Sequence, residues 1–539
     1  LQDQDGWITN LYNGKKEPNN KMQMVRATFR WAPSAGFDDT LKVEYENVTR
    51  VGGLSVSSTL TAPQDPKLVR YADRNPLGDE GLTNKSVLIS NTANIAIGDF
   101  TLTSITGYSW YNGNVVNNFD QRTPTGAIVA NSVYNSYPEW LSQYSQEVRL
   151  LSPRGKTLEF VVGAYYDNAR YHLDQLGGFN IASLNYLGLL HTMFNQWSNT
   201  KSVFGQATLN ASSRFRVIGS LRYSDTYKRG DFRGRLEYGP FAIRPVNTVA
   251  HQAFSEGNLD PSATAQFDLA KDIMIYATYG RGSKSGGFVS NTYGTTDATF
   301  RYKPERSTNY EAGIKFALLD HAIVGSISVY DTQFKNLQVS VYNPANSTYV
   351  TGNAASATSK GVEGTVTVRP TANFDITASG AYMDIKYDDY PGAACLAVQT
   401  LAQCDPSNPA SFKNNNLAGY SPPYTSKWNG SVQAHARFML TDDVKFDITG
   451  VAAGRSKFFD SDNQSPIFGY QKGFIKYDLR LQVAGKNDAW HVAVVGKNLS
   501  NIITSGSAFN LPAPITTVPR AIVYIDPPRS FALEVGFKY

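Results

Sequence analysis

Apolar residues in this chain recur at period two, and the last segment shows it most clearly. Phe531, Leu533, Val535, Phe537 and Tyr539 alternate with Ser530, Ala532, Glu534, Gly536 and Lys538. Successive side chains of a strand point to opposite faces, so one face here is apolar to the final residue and the other suits water. The same alternation appears in Leu41, Val43 and Tyr45 against Lys42, Glu44 and Glu46. It returns in Phe215, Val217 and Leu221 against Arg216 and Arg222, and in Tyr310, Ala312, Ile314 and Phe316 against Glu311 and Lys315. Val432 to Phe438, Val444 to Ile448 and Tyr477 to Val483 repeat it.

These segments come in pairs. Short connections such as Ala32-Pro33-Ser34, Gly98-Asp99, Pro153-Arg154-Gly155, Asp442-Asp443 and Lys486-Asn487-Asp488 carry turn chemistry. The pairs are separated by long segments, near 51–83, 114–141, 171–198, 229–257, 286–305, 336–355, 388–424, 459–473 and 504–526. The pattern predicts about nineteen strands, at 21–33, 38–50, 84–97, 100–113, 142–153, 156–170, 199–212, 214–228, 258–269, 271–285, 306–318, 321–335, 356–369, 372–387, 425–440, 442–458, 474–486, 488–503 and 527–539. Short turns at one end and long loops at the other describe an all-β, antiparallel transmembrane barrel, whose strands need only about 9–11 half-polar residues each. Strand parity requires an upward strand before the first of these, ending near Asp5-Gly6-Trp7. A soluble propeller or β-solenoid would show a repeated blade signature, and here the hairpins vary in loop length instead.

Composition narrows the picture. The 539 residues hold 32 Tyr, 28 Phe and 44 Gly, which suits strands and turns. Lys+Arg 50 against Asp+Glu 45 is too balanced for a nucleic-acid footprint. No run of about 18 apolar residues exists, which excludes a helical span but not a barrel. The chain opens on Leu1 with no charged-then-apolar leader, so the expectation is a removed signal peptide or a fragment. Cys395 and Cys404 lie close together in the longest loop, an arrangement that suits a disulfide in an oxidising compartment. The six His are scattered and give no metal site, and neither H-E-x-x-H nor G-x-S-x-G occurs, so no enzyme and no cofactor is expected.

Several stretches resemble the TonB-dependent receptors of the bacterial outer membrane. Tyr276-Ala-Thr-Tyr279-Gly280-Arg281-Gly282, ending at Gly286-Gly287-Phe288, is similar to that family's Tyr-rich strand and glycine rim. Lys303-Pro304-Glu305-Arg306-Ser307 and Asn309-Tyr310-Glu311-Ala312-Gly313 resemble its barrel motif, as do Lys360-Gly361-Val362-Glu363-Gly364 and Gly496-Lys497-Asn498-Leu499. Pro527-Pro528-Arg529-Ser530-Phe531 leads into the last strand as the family does. The resemblance implies a 22-stranded barrel with a lumen plug and a short segment that engages TonB. Residues 1–539 would be its barrel domain, incomplete at the N-terminus and without the plug. It also implies outer-membrane lipid, TonB with its inner-membrane complex, and the barrel-assembly machinery as partners. The assembly machinery would read Phe531, Leu533, Val535, Phe537 and Tyr539.

Carboxylates such as Glu44, Glu147, Glu311 and Glu363 fall on polar strand faces, often near Lys or Arg, as a charge-lined wet lumen requires. Trp31, Phe37, Tyr166, Trp490 and Tyr539 sit near strand ends, where interfacial girdles belong. Candidate ligand contacts are the cations Arg281, Lys284, Arg455, Lys457, Lys476 and Arg480, near the extracellular mouth or on the lumen face. Ordinary wall ion pairs are the competing reading for them. The expected function is energised uptake of a scarce solute, an iron chelate such as a ferric siderophore first. A carbohydrate, cobalamin or peptide receptor, a passive porin, and a structural barrel docking a surface lipoprotein remain the alternatives.

Overall fold

The computed structural model describes the chain except residues 1, 12, 54, 60–68, 71–79, 119–130, 182–185, 240–246, 291–296, 344–347, 406–414, 467–468, 512–519 and 539. Twenty strands form one sheet, in which sequential neighbours pair antiparallel. Nineteen of them correspond one for one to the expected segments, from Asn19–Ser34 to Ser530–Phe537. The twentieth is the short Gln2–Gln4 strand, which pairs with Asn19–Ser34 just before Asp5. Tyr539 lies outside the described residues, so the terminal strand is seen as far as Phe537 and Lys538.

Registers carry one inside–outside parity around the sheet. Phe531, Leu533 and Val535 face Gly496, Val494 and Val492. Val494 faces Leu481, which faces Ile448, and Phe446 faces Phe438. These residues share the outer face, and most of the large apolar ones stay exposed, Leu533 by 69 % and Val494 by 50 %. A contiguous apolar exterior of this extent fits lipid and no aqueous solvent. Aromatics sit at the strand ends on this face. Trp31 meets Phe37 edge-on at 5.2 Å beside a short turn, and Tyr382 meets Trp428 at 4.6 Å near the long-loop end.

The inner face is polar and internally bonded. Arg216 donates to both oxygens of Asp268 at 3.0 and 2.9 Å. His435 bridges Asp375 at 3.1 Å and Asp447 at 3.0 Å, and Arg437 reaches Asp447 at 2.7 Å. Hydroxyls pair across strands, as in Ser220 with Ser262 and Thr367 with Thr377. Partners of opposite charge opposed across a ladder stabilise the sheet by a few tenths of a kcal/mol each, up to ~1.

The extracellular half departs from expectation. Segments expected as polar loops, 114–141, 171–198 and 229–257, are largely strand: Asn131–Leu151, Leu158–Ile181, Tyr186–Asn210, Phe215–Tyr238 and Thr248–Ala270. They rise well beyond the length that spans a bilayer. No lipid forces apolar alternation there, so the pattern lapses while the hydrogen-bonded ladder continues. Two further folded pieces cover the mouth. Residues 287–290 and 297–302 turn inward and place Phe288 and Phe300 among Phe194, Phe232 and Phe254. Ser55–Thr59, Arg520–Ile525 and Ser505–Leu511 form a three-stranded loop sheet, and Ile8 is buried against Ala508, Val523 and Ile525.

Candidate functional site

A cavity of about 960 Å³ lies against the inner wall, lined by residues from eight strands and the adjoining loops. Parity delivers its chemistry. On strands whose odd or even residues face lipid, the intervening ones meet the lumen: Tyr276, Glu311, Ser328, Glu363, Asp478 and Lys476. Tyr276 donates to Glu311 at 2.5 Å, which fixes that carboxylate to the wall. Asp478 accepts the Asn498 backbone N–H at 2.7 Å.

Arg455 ends the Val444–Arg455 strand and lies on the lumen face. Its Nη2 donates to the Tyr424 carbonyl at 2.9 Å and its Nε to Ser426 Oγ at 3.3 Å. The guanidinium lies 3.7 Å over the Phe458 ring. A cation bound through a carbonyl, a hydroxyl and a ring keeps its full charge available to an anionic ligand. Lys476 donates to Thr504 Oγ1 at 2.7 Å and stands 3.6 Å from Asp526.

The other sequence-predicted cations fall elsewhere. Arg480 is on the inner face, but its Nη1 is 2.5 Å from Glu534 and its Nη2 donates to Gln482. It borders a second cavity of about 380 Å³, with His435, Arg437, Lys445 and Asp447, towards the short-turn end. Lys457 is exposed in the loop past the strand end. Lys284 is exposed at the rim, opposite Glu305. Arg281 is on the outer face, in line with Ile275, Ala277 and Tyr279, because the ladder keeps its period through Gly280. Of the six, Arg455 and Lys476 come together in this one cavity.

The rings and hydroxyls of this cavity were not singled out from sequence as contacts. Tyr276 and Glu311 lie within the two most recognisable motifs, so the signal was present. Tyr424 and Ser426 carry none, because they enter from a loop whose path the sequence pattern does not fix.

Above the cavity the loops are tied together. Cys395 and Cys404 are joined with their Cα atoms 5.5 Å apart. The Ala397 N–H reaches the Asn463 carbonyl at 2.7 Å, linking that loop to residues 456–473. Asp460 in the latter is fully buried, and its Oδ2 accepts from Ser505. The Ala508 N–H bonds the Asp460 carbonyl at 2.8 Å. Burial pushes the Asp460 carboxyl up to about 6, a shift opposed by a backbone hydrogen bond.

Known proteins share this architecture. The ferric yersiniabactin uptake receptor FyuA of Yersinia pestis superposes with a TM-score of 0.77 at 14 % identity, over 99 % of this chain and 73 % of that one. The ferric-catecholate import receptor Fiu of E. coli K12 gives 0.70 at 13 %, over 99 % and 76 %. The siderophore receptor PiuA of Acinetobacter baumannii gives 0.70 at 14 %, over 97 % and 75 %. At such identities these likenesses establish the fold. Residues 27–499 match the family model described as TonB dependent receptor-like, beta-barrel. The chain therefore belongs to the TonB-dependent receptors, a family of transport receptors, and is a β-barrel of the bacterial outer membrane.

Proposed function

We propose that this barrel takes up a ferric siderophore or a similar anionic iron chelate through the cavity holding Arg455 and Lys476. The observation that carries the reading is the pairing of those two cations with the aromatic rings of Tyr276, Tyr424 and Phe474 in one lumen cavity. A chelate of this kind offers negative oxygens to the cations and flat faces to the rings. The three solved receptors named above are called uptake, import or siderophore receptors for iron chelates, which supports the same reading. In it the 539 residues are barrel throughout, and the plug moved by TonB is a part of the receptor that they do not include.

A second reading rests on the same cavity. Glu311, Glu363 and Asp478 outnumber its two cations, and carboxylates beside aromatic rings also suit a neutral carbohydrate. A receptor-deletion strain complemented with the gene and grown on single iron sources decides between them. Growth on at least one chelate should depend on the receptor, and the Arg455→Ala, Lys476→Ala double variant should reduce its uptake at least about tenfold. Unchanged uptake of every chelate tried rejects iron. Receptor-dependent sugar uptake that survives the double variant selects carbohydrate.

A further inference from the structure

We propose that the outer shoulder of the barrel, where strands Ile273–Lys284, Glu305–Leu318 and Ile323–Asn343 emerge from the membrane, binds a phosphorylated lipid head group of the outer leaflet. The three strands bring cations together on the lipid-facing side. Arg281 follows Ile275, Ala277 and Tyr279 on that face, Arg306 follows Ile314 and Tyr310, and Lys335 follows Ile327 and Val329. Arg306 stands directly opposite Lys335, and Arg281 stands opposite Thr308, two residues from Arg306. Like charges directly opposed on one sheet face repel, so this arrangement calls for an anion.

Nothing in the described protein supplies it. Arg281, Arg306 and Lys335 are all exposed, and among the described residues none has a carboxylate at ion-pair distance. The nearby Asp331 is committed to Lys360 at 3.0 Å.

Position selects a lipid as the source of the anion. Tyr279 and Tyr310, with ring centroids 5.4 Å apart, lie directly below the cations on the same outer face. Interfacial tyrosines mark the level where acyl chains end and head groups begin. Guanidinium and ammonium groups immediately above that level meet phosphate, and basic pockets of this kind hold anionic head groups. Arg281 thus belongs to the membrane side of the rim and not to the solute path.

The test uses receptor purified from outer membranes and titrated in detergent with bis-phosphorylated lipid A, read by native mass spectrometry. The wild type should retain the lipid. The Arg281→Gln, Arg306→Gln, Lys335→Gln variant should bind it about a hundredfold more weakly, at about fivefold for each cation removed. Lipid A stripped of its phosphates should show the same loss on wild-type protein. Lys271→Gln, which removes an exposed cation at a short turn, should leave the affinity unchanged. If the triple variant does not assemble, judged by heat-modifiable gel mobility, Arg306→Gln alone should show the fivefold loss. Equal binding by the triple variant or, where it does not assemble, by Arg306→Gln, or equal binding of dephosphorylated lipid, overturns the proposal. So does displacement of the lipid by equimolar inorganic pyrophosphate, which would make this a soluble-phosphate site.

Discussion

Asp460 shows how one side chain can set the behaviour of the extracellular loops. Its carboxyl is buried and titrates near 6, above the ordinary carboxylate value. A raised acid pKa means that the folded loop prefers the protonated form. The contact therefore has its full stability below about pH 4, loses it as pH rises to about 6, and changes little above. Amide exchange in residues 456–473 and around Ser505, corrected for intrinsic rates, should slow on going from pH 7 to pH 5. Asp460→Asn keeps an oxygen for Ser505 and removes the titration, so its exchange should be flat with pH and protected as the wild type is at pH 5. Gly230 makes a steric counterpart. A Cβ built there would lie 2.6 Å from the Phe288 ring. Gly230→Ala should force the ring out of its cluster at a cost of about 1–3 kcal/mol. Limited proteolysis should then cut residues 287–302 at lower protease concentration than in the wild type.

At the scale of elements, the terminal strand separates two kinds of contact that alternate along it. Leu533 faces lipid, whereas Glu534 turns to the wet interior and pairs with Arg480 along the wall. A charge on the lipid face costs about 2–4 kcal/mol near mid-bilayer. Leu533→Arg should sharply lower the amount of folded, heat-modifiable barrel in outer membranes, and Glu534→Gln should lower it little. The same alternation explains what the chain disclosed beforehand. Where lipid touches one face and water the other, apolar residues must keep period two, so all nineteen strands within the bilayer were readable from residues such as Phe215, Val217 and Leu221. Above the bilayer both faces are wet. Strand Tyr186–Asn210 there runs through His191, Thr192 and Asn195, where nothing marks a ladder. The candidate site divides in the same way. Arg455 and Lys476 were readable as lumen-facing because they sit on strand parity, Tyr424 and Ser426 were not because loops place them, and Arg281, read only as near the mouth, shows its outward face only through the register.

For the whole molecule, ring positions fix how the barrel sits in its membrane. Phe438 and Trp428 are ten residues apart on one outward face, and so are Phe100 and Trp110. Ten residues at about 3.3 Å each span roughly 33 Å along a strand. A tilt of about 40° reduces that to a height of about 25 Å, the thickness of the apolar band of an outer-membrane barrel. Two independent hairpins thus give one hydrocarbon thickness, with Phe438 and Phe100 at the short-turn interface and Trp428 and Trp110 at the other. Counted from the short-turn ends of their strands, Arg306 and Lys335 stand level with Trp428 and Trp110, at this second interface, with Tyr279 and Tyr310 below them. Variants retaining Trp428 or Trp110 as the sole tryptophan, reconstituted in bilayers, should be quenched more by lipids brominated near the carboxyl end of the acyl chain than by lipids brominated near its terminal methyl. A sole tryptophan at Val494, which faces outward mid-strand, should show the reverse order. Deep quenching of Trp428 and Trp110 would put the membrane higher on the barrel, and with it would remove the physical basis for a head-group site at the shoulder.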